Sequence, residues 1–224
     1  MTIAEETYSL IREEKVVAVI RGGDPSEAVE LGKAVRRGGI RLVEIAMTTP
    51  SALDAIEKLR EMEESGGAVV GVGTVLTPRR ARDAIDAGAR FLVSPHLTDD
   101  VGEVCRRAGV PYIPGATTPS EVVACLDSGA EIVKIFPAGQ LGPGWIKALK
   151  GPFPHANLMP TGGVTIRNCA AFLEAGSCAL GAGGALTGRA RKAKDPSLAQ
   201  EAASAMMATV AEYLRGTGSK EMQR

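Results

Sequence analysis

Two ionisable residues stand inside otherwise apolar runs. Lys134 lies in Ile132-Val-Lys-Ile-Phe136 and Glu44 in Leu42-Val-Glu-Ile-Ala46. Both runs read as β-strands, where a desolvated charge is costly unless it is paired or neutralised. Every other lysine falls in a predicted helix, loop or terminus. Burial disfavours an ammonium, and the free amine is a nucleophile towards carbonyl carbon. Lys134 therefore points to Schiff-base chemistry. Side chains alternate along a strand, so Ile132, Lys134 and Phe136 share one face, as do Leu42, Glu44 and Ala46. If both faces turn inward, Glu44 can serve the amine as general base and then acid. Two structural alternatives stay open: Lys134 as a lysine paired with a buried carboxylate, and Glu44 as the ion-pair partner that only holds it.

Glycine supplies the next signal. Thr161-Gly162-Gly163-Val164-Thr165 ends one strand run and opens a helix, and Gly181-Ala-Gly183-Gly184 does the same for the last run. Exposed backbone amides at such places bind phosphate, although tight turns use the same residues. Thr74 ends Gly71-Val-Gly-Thr74, where it either binds a substrate carboxylate or caps its loop. Ser94-Pro95-His96 forms a further rim segment, with His96 read as a loop residue or a support behind the binding residues, and not as a ligand. Phe136 and Pro137 read as an apolar wall against the reacting carbons, with plain core packing the alternative for Phe136. The two histidines, His96 and His155, have no ligand spacing, so no metal site and no cofactor are expected.

Positioning such a site takes a scaffold, and the chain offers a regular one. Strand runs are expected at Val16–Ile20, Arg41–Met47, Ala68–Thr74, Phe91–Pro95, Tyr112–Pro114, Ile132–Pro137, Asn157–Thr161 and Cys178–Gly183. Helical patterns lie between them at Pro25–Arg37, Ser51–Glu64, Pro78–Ala87, Asp99–Ala108, Pro119–Asp127, Gly144–Lys150 and Ile166–Ala175, and a last one runs from Ser197 to Leu214. Gly39, Gly88, Gly109, Gly129 and Gly176 recur just before strands, where a left-handed residue stops a helix. Asp24-Pro25, Thr77-Pro78 and Thr118-Pro119 place a capping oxygen before a first-turn proline. Alternation of this kind implies parallel βαβ units, and eight of them close a barrel. The expected fold is α/β, a (β/α)8 TIM barrel with an extra N-terminal helix before residue 16. Residues 1–224 form one domain in this reading, and the tail from Gly216 to Arg224 frays.

Composition narrows the partners. Acidic and basic side chains balance at 26 each, so no global field favours nucleic acid or an anionic membrane. The basic run Arg189-Ala-Arg191-Lys192-Ala-Lys194 lacks interleaved aromatics and reads as a solvated loop. Four cysteines without a C-x-x-C pair fit free thiols in a reducing compartment. The first residues show no signal-peptide pattern and no apolar stretch reaches membrane-spanning length, so a cytoplasmic protein is expected.

Taken together and in order, several motifs resemble the 2-keto-3-deoxy-6-phosphogluconate aldolase family, which also holds 4-hydroxy-2-oxoglutarate and 2-keto-3-deoxy-6-phosphogalactonate aldolases. They are Val43-Glu-Ile, Gly71-Val-Gly-Thr-Val-Leu, Ser94-Pro-His-Leu, Ile113-Pro-Gly-Ala-Thr-Thr-Pro-Ser-Glu, Val133-Lys-Ile-Phe-Pro, Pro160-Thr-Gly-Gly-Val and Gly181-Ala-Gly-Gly-Ala-Leu, spanning about Val16 to Leu186. The resemblance implies a homotrimeric class I aldehyde-lyase of the Entner–Doudoroff type, which cleaves its substrate to pyruvate and glyceraldehyde 3-phosphate without a cofactor. It places the Schiff-base lysine at Lys134 and the proton-transferring glutamate at Glu44. The pyruvyl carboxylate would lie near Thr74 and Arg21, and the phosphate at Gly162, Gly163, Gly183 and Gly184. Pro95, Phe136 and Thr161 would line the pocket. Two positions depart from the common pattern. Thr48 stands where many members carry arginine, and Arg21 is the expected replacement. Gly184 stands where serine is common, which removes a phosphate donor. The galactonate epimer and unphosphorylated 4-hydroxy-2-oxoglutarate remain alternative substrates. A barrel that only binds a phosphosugar or 2-keto acid remains the non-enzymatic alternative.

Overall fold

The computed structural model describes residues 2–61 and 68–221. Its elements are α1 (Ile3–Glu14), β1 (Val16–Ile20), α2 (Pro25–Arg37), β2 (Leu42–Ala46), α3 (Ala52–Arg60), β3 (Val69–Gly73), α4 (Pro78–Asp86), β4 (Leu92–Val93), α5 (Asp99–Ala108) and β5 (Tyr112–Ile113). There follow β6 (Gly115–Ala116), α6 (Pro119–Asp127), β7 (Val133–Ile135), α7 (Ala138–Lys150), β8 (Leu158–Pro160), α8 (Cys169–Glu174), β9 (Leu180–Ala182), α9 (Gly184–Ala193) and α10 (Ser197–Glu221). Every strand pair is parallel. One sheet runs β5-β4-β3-β2-β1-β9 and the other β6-β7-β8. The result is an α/β fold with a curled parallel sheet. A bridge between Thr161 and Gly181 spans the edges of β8 and β9. Only Pro114 separates β5 from β6, and its carbonyl accepts the Lys134 amide at 2.8 Å.

Local chemistry sets the element ends. Asp24, Thr77 and Thr118 each accept an amide of the following first turn, before a proline that needs no amide partner there. Gly39, Gly88, Gly109, Gly129 and Gly176 all take positive φ, which stops a helix and turns the chain back towards the sheet at no Cβ penalty.

Packing divides the strand residues by parity. Val16, Ala18 and Ile20, with Val43, Ile45, Val133, Ile135, Leu158 and Leu180, pack in the cluster shared with the helices. Their alternates Val17, Leu42, Val93, Ile113, Ile132, Met159 and Ala179 form a second cluster with Phe91 and with Ile11 of α1. Successive strand residues face opposite ways, so this second cluster is the inner face of the curl. Ile11 is fully buried in it, a contribution of roughly 1.5–3 kcal/mol. The apolar inner layer fills the end nearest α1. Two residues further along β2 and β7, the same parity brings Glu44 and Lys134 onto this inner face.

Several expectations need correction. The basic run is helical, not a loop: α9 buries Leu186, Thr187 and Ala190 and turns its cations outward. Arg191 reaches Glu27 of α2 at 3.4 Å. Too few apolar residues mark that helix for periodicity to show it. The expected frayed tail is helical as far as Glu221, where the description ends. Extending an existing helix fixes one residue per new hydrogen bond, and the Thr217 hydroxyl also donates to the Leu214 carbonyl at 2.9 Å. Helix α7 starts at Ala138, ahead of the expected Gly144, because two helical segments meet at Gly142 (φ 72°, ψ 170°). A residue before proline is pushed out of the helical region, and Pro143 then restarts the turn. Helix α8 begins at Cys169, after a turn that starts at Ile166. The expected end of the Ser51–Glu64 helix lies outside the described residues. Among the described residues no helix is long and apolar enough to cross a membrane, and no cluster of His, Cys, Asp or Glu could hold a metal.

Candidate active site

Lys134 sits mid-strand in β7, paired in register with Gly115 on one side and Met159 on the other. It is 4% exposed. Its Nζ lies 5.5 Å from the centroid of the Phe136 ring, within the range at which an aromatic face attracts a cation. No ion pair within 4 Å joins it to a carboxylate among the described residues. The strand end is fixed from outside: the Thr117 hydroxyl donates to the Phe136 carbonyl at 2.6 Å, and Trp145 Nε1 donates to the Thr117 carbonyl at 2.9 Å.

Glu44 is 1% exposed, and its Oε2 is buried with no hydrogen-bond partner. Leaving such an acceptor unpaired costs about 1–3 kcal/mol or more for a charged group. An ion pair that merely held Lys134 would satisfy this oxygen. The arrangement instead leaves an acceptor free on the inner face that carries the amine.

The glycine loops pack tightly against their neighbours. Thr161 packs over Gly181, where an added Cβ would meet its Oγ1, and its hydroxyl donates to the Met159 carbonyl at 3.3 Å. Gly162 takes φ 80°, and a Cβ there would lie 2.8 Å from the Phe136 ring. At Gly163, a Cβ would press on the backbone of Gly139 at 2.5 Å. Gly183 precedes α9, whose first amides point outward like those of any helix N-terminus. A side chain at Gly184 would meet nothing within 4 Å, so the missing serine hydroxyl reflects sequence and not lack of room.

Arg21 is exposed, with Nη1 3.5 Å from the Cβ position of Gly183. It makes no ion pair among the described residues, and the nearby Asp24 accepts the Glu27 amide at 2.8 Å. Thr74 is half-buried with φ 61°. Left-handed backbone costs a β-branched residue about 1–2 kcal/mol, and such strain gathers at functional sites. Pro95 lies against Gly115. Ser94 donates to the Val75 carbonyl at 2.5 Å, while His96 is exposed and pairs with the Thr98 hydroxyl at 3.0 Å. Thr48 is exposed, and its neighbour Thr49 accepts the Gly22 amide at 3.1 Å, tying the β1 and β2 loops.

Burial pushes the Cys105 and Cys125 thiols up to about 12 and the Cys178 thiol to about 11, so none offers a thiolate near neutral pH. Two surface clefts, of about 420 Å³ beside Tyr8, Gly102 and Tyr112 and about 530 Å³ beside Glu27, Leu31 and Lys194, contain none of the candidate residues. Sequence reasoning missed Thr117 and Trp145, whose roles depend on contacts between distant elements. It also missed the close approaches at Gly73, Gly115 and Gly181. Glycine inside a strand run was the available signal, since it weakens a strand unless another group must come close.

Comparison with known proteins follows the same line. Residues 7–201 match the family model described as KDPG and KHG aldolase. The KHG/KDPG aldolase of Escherichia coli K12 is 36% identical over 167 residues, covering 74% of this chain and 77% of that protein. A structure of native KDPGal superposes with TM-score 0.82 at 29% identity, covering 89% of this chain and 96% of the other. The KDPG aldolase of Legionella pneumophila, solved with pyruvate captured as a covalent carbinolamine, gives TM-score 0.78 at 31% identity, covering 89% and 97%.

Proposed function

This chain belongs to the KDPG and KHG aldolase family, and on that premise we propose that it is a class I aldolase cleaving 2-keto-3-deoxy-6-phosphogluconate to pyruvate and glyceraldehyde 3-phosphate. The observation that carries the reading is the pairing on one inner face of a buried lysine without a carboxylate partner and a buried glutamate with an unpartnered oxygen. Lys134 attacks the C2 carbonyl and water leaves, giving an iminium that accepts electrons. Glu44, directly or through a water, removes the proton of the C4 hydroxyl. The C3–C4 bond breaks, its electrons pass into the pyruvyl enamine, and the aldehyde departs. Protonation at C3 and hydrolysis of the imine return Lys134 and pyruvate. Splitting one hard step into several easier ones is the gain from the covalent route.

The substrate carboxylate is held by Arg21 with Thr74, and the phosphate by the amides of Gly162, Gly163, Gly183 and Gly184. Pro95, Phe136 and Thr161 line the reacting carbons. The strands close into a (β/α)8 barrel, with β5 and β6 acting as one strand broken at Pro114; the bridge from Thr161 to Gly181 supports this. The chain acts as one domain in a cytoplasmic homotrimer. The test is a panel of both phosphorylated epimers and 4-hydroxy-2-oxoglutarate, assayed after prolonged chelation. Pyruvate should be released, fastest from the phosphorylated gluconate. Activity lost on chelation and restored by zinc or magnesium overturns the class I assignment, and binding without cleavage of any substrate leaves only the binding barrel.

Arg21→Ala should raise the KM for pyruvate in condensation by roughly 10- to 100-fold, the scale of a lost charge-assisted hydrogen bond, and weaken borohydride trapping. Thr48→Arg in that background should recover part of the loss. Unchanged pyruvate kinetics with a raised KM for glyceraldehyde 3-phosphate would reassign Arg21 to the loop of Gly183, against which it lies.

A further inference from the structure

We propose that Gly73 is a positioning residue for the reaction: its missing side chain is the seat of the Glu44 carboxylate and fixes where that carboxylate lies on the inner face. The inference rests on Glu44 being the acid–base group. Strands β2 and β3 pair with Glu44 opposite Gly71 and Ala46 opposite Gly73. The Glu44 side chain therefore leans along the strand direction, two residues further on, until its carboxyl covers Gly73. A Cβ built on Gly73 would collide with Glu44 Oε1 and would lie 2.5 Å from its Cδ and 2.9 Å from its Cγ. These are the three nearest atoms, and all belong to one side chain. The conformation of Gly73 lies outside the positive-φ region, unlike that of Thr74 which follows it. Glycine is therefore required here by the space above it and not by its backbone. The next inner-face position of β3 obeys the same rule with a different occupant, since a Cβ on Gly71 would strike the Phe91 ring at 2.5 Å. One glycine receives the core and the other receives the proton carrier. With Oε1 seated over Gly73, Oε2 remains buried and without a hydrogen-bond partner among the described residues.

The carboxylate is the movable end of its side chain, so Gly73→Ala should fold with Glu44 displaced. Misplacing a reacting group by about an ångström costs about 10²-fold, and kcat for cleavage should fall by about that much. Exchange of the pyruvate methyl protons in deuterated water should slow in parallel, while borohydride trapping of pyruvate is retained. In a Glu44→Gln background the same substitution should cause no further loss, because the two act through one group. Losses that multiply in the double variant overturn the proposal and leave Gly73 a packing residue. Should Gly73→Ala alone fail to fold, Gly73→Ala/Glu44→Ala should fold and trap pyruvate like Glu44→Ala; its failure also overturns the proposal. A Glu44→Gln enzyme with full activity is a separate outcome, which removes the acid–base reading itself.

Discussion

Incubated with pyruvate and borohydride, the protein should gain one reduced pyruvyl unit per chain, and peptide mapping should place it on Lys134. The expectation follows from geometry before family. Lys134 is 4% exposed and mid-strand, with an aromatic ring beneath its ammonium and no carboxylate within ion-pair distance among the described residues. A buried amine without a carboxylate partner is placed to meet a carbonyl carbon rather than to anchor an ion pair. Reduction of the iminium makes the C–N bond permanent, so the adduct should be stable to dialysis and the trapped enzyme inactive. Lys134→Ala should abolish trapping and lower cleavage on the order of 10⁶-fold, the scale at which removal of a covalent nucleophile acts. Modification of another lysine, or an active preparation that yields no adduct, would remove the Schiff-base mechanism.

Glu44→Gln should separate carbon–nitrogen chemistry from proton transfer. The amide keeps the shape of the carboxyl over Gly73 and cannot accept the substrate proton. Adduct formation with pyruvate should persist while cleavage slows by roughly 10²–10⁴-fold, the usual worth of a positioned acid–base group. Stability should be little changed, because the amide matches the carboxyl in volume and Oε2 has no hydrogen-bond partner among the described residues to lose. Thermal unfolding measured beside steady-state cleavage checks both halves. Turnover close to wild type would reduce Glu44 to a structural residue, and an unstable variant would mean that the charge is compensated after all.

Much of the candidate site was legible in the chain. Lys134 and Glu44 declare themselves because a charge within an apolar run needs a reason, and strand parity alone assigns each to the face of Ile132 or Leu42. The helix starts at Asp24, Thr77 and Thr118 and the turns at Gly88, Gly129 and Gly176 were equally plain, since capping and left-handed turns are decided within four or five residues. Where local signals were thin, the reading failed. The α9 helix buries only Leu186, Thr187 and Ala190, and α10 runs past Leu214 to Glu221.

Tertiary structure decided what depends on register between strands distant in sequence. The pairing of β2 with β3 sets the Glu44 carboxyl over Gly73 and leaves Oε2 unpaired. The pairing of β1 with β9 lays Arg21 against Gly183. Thr74 takes its left-handed backbone only where the chain leaves β3 for α4. The sequence by itself determined which charged residues stand inside the strands, because burial and periodicity are local properties of a strand. Only the folded sheet decided what surrounds each one, because that depends on neighbours brought in from other strands.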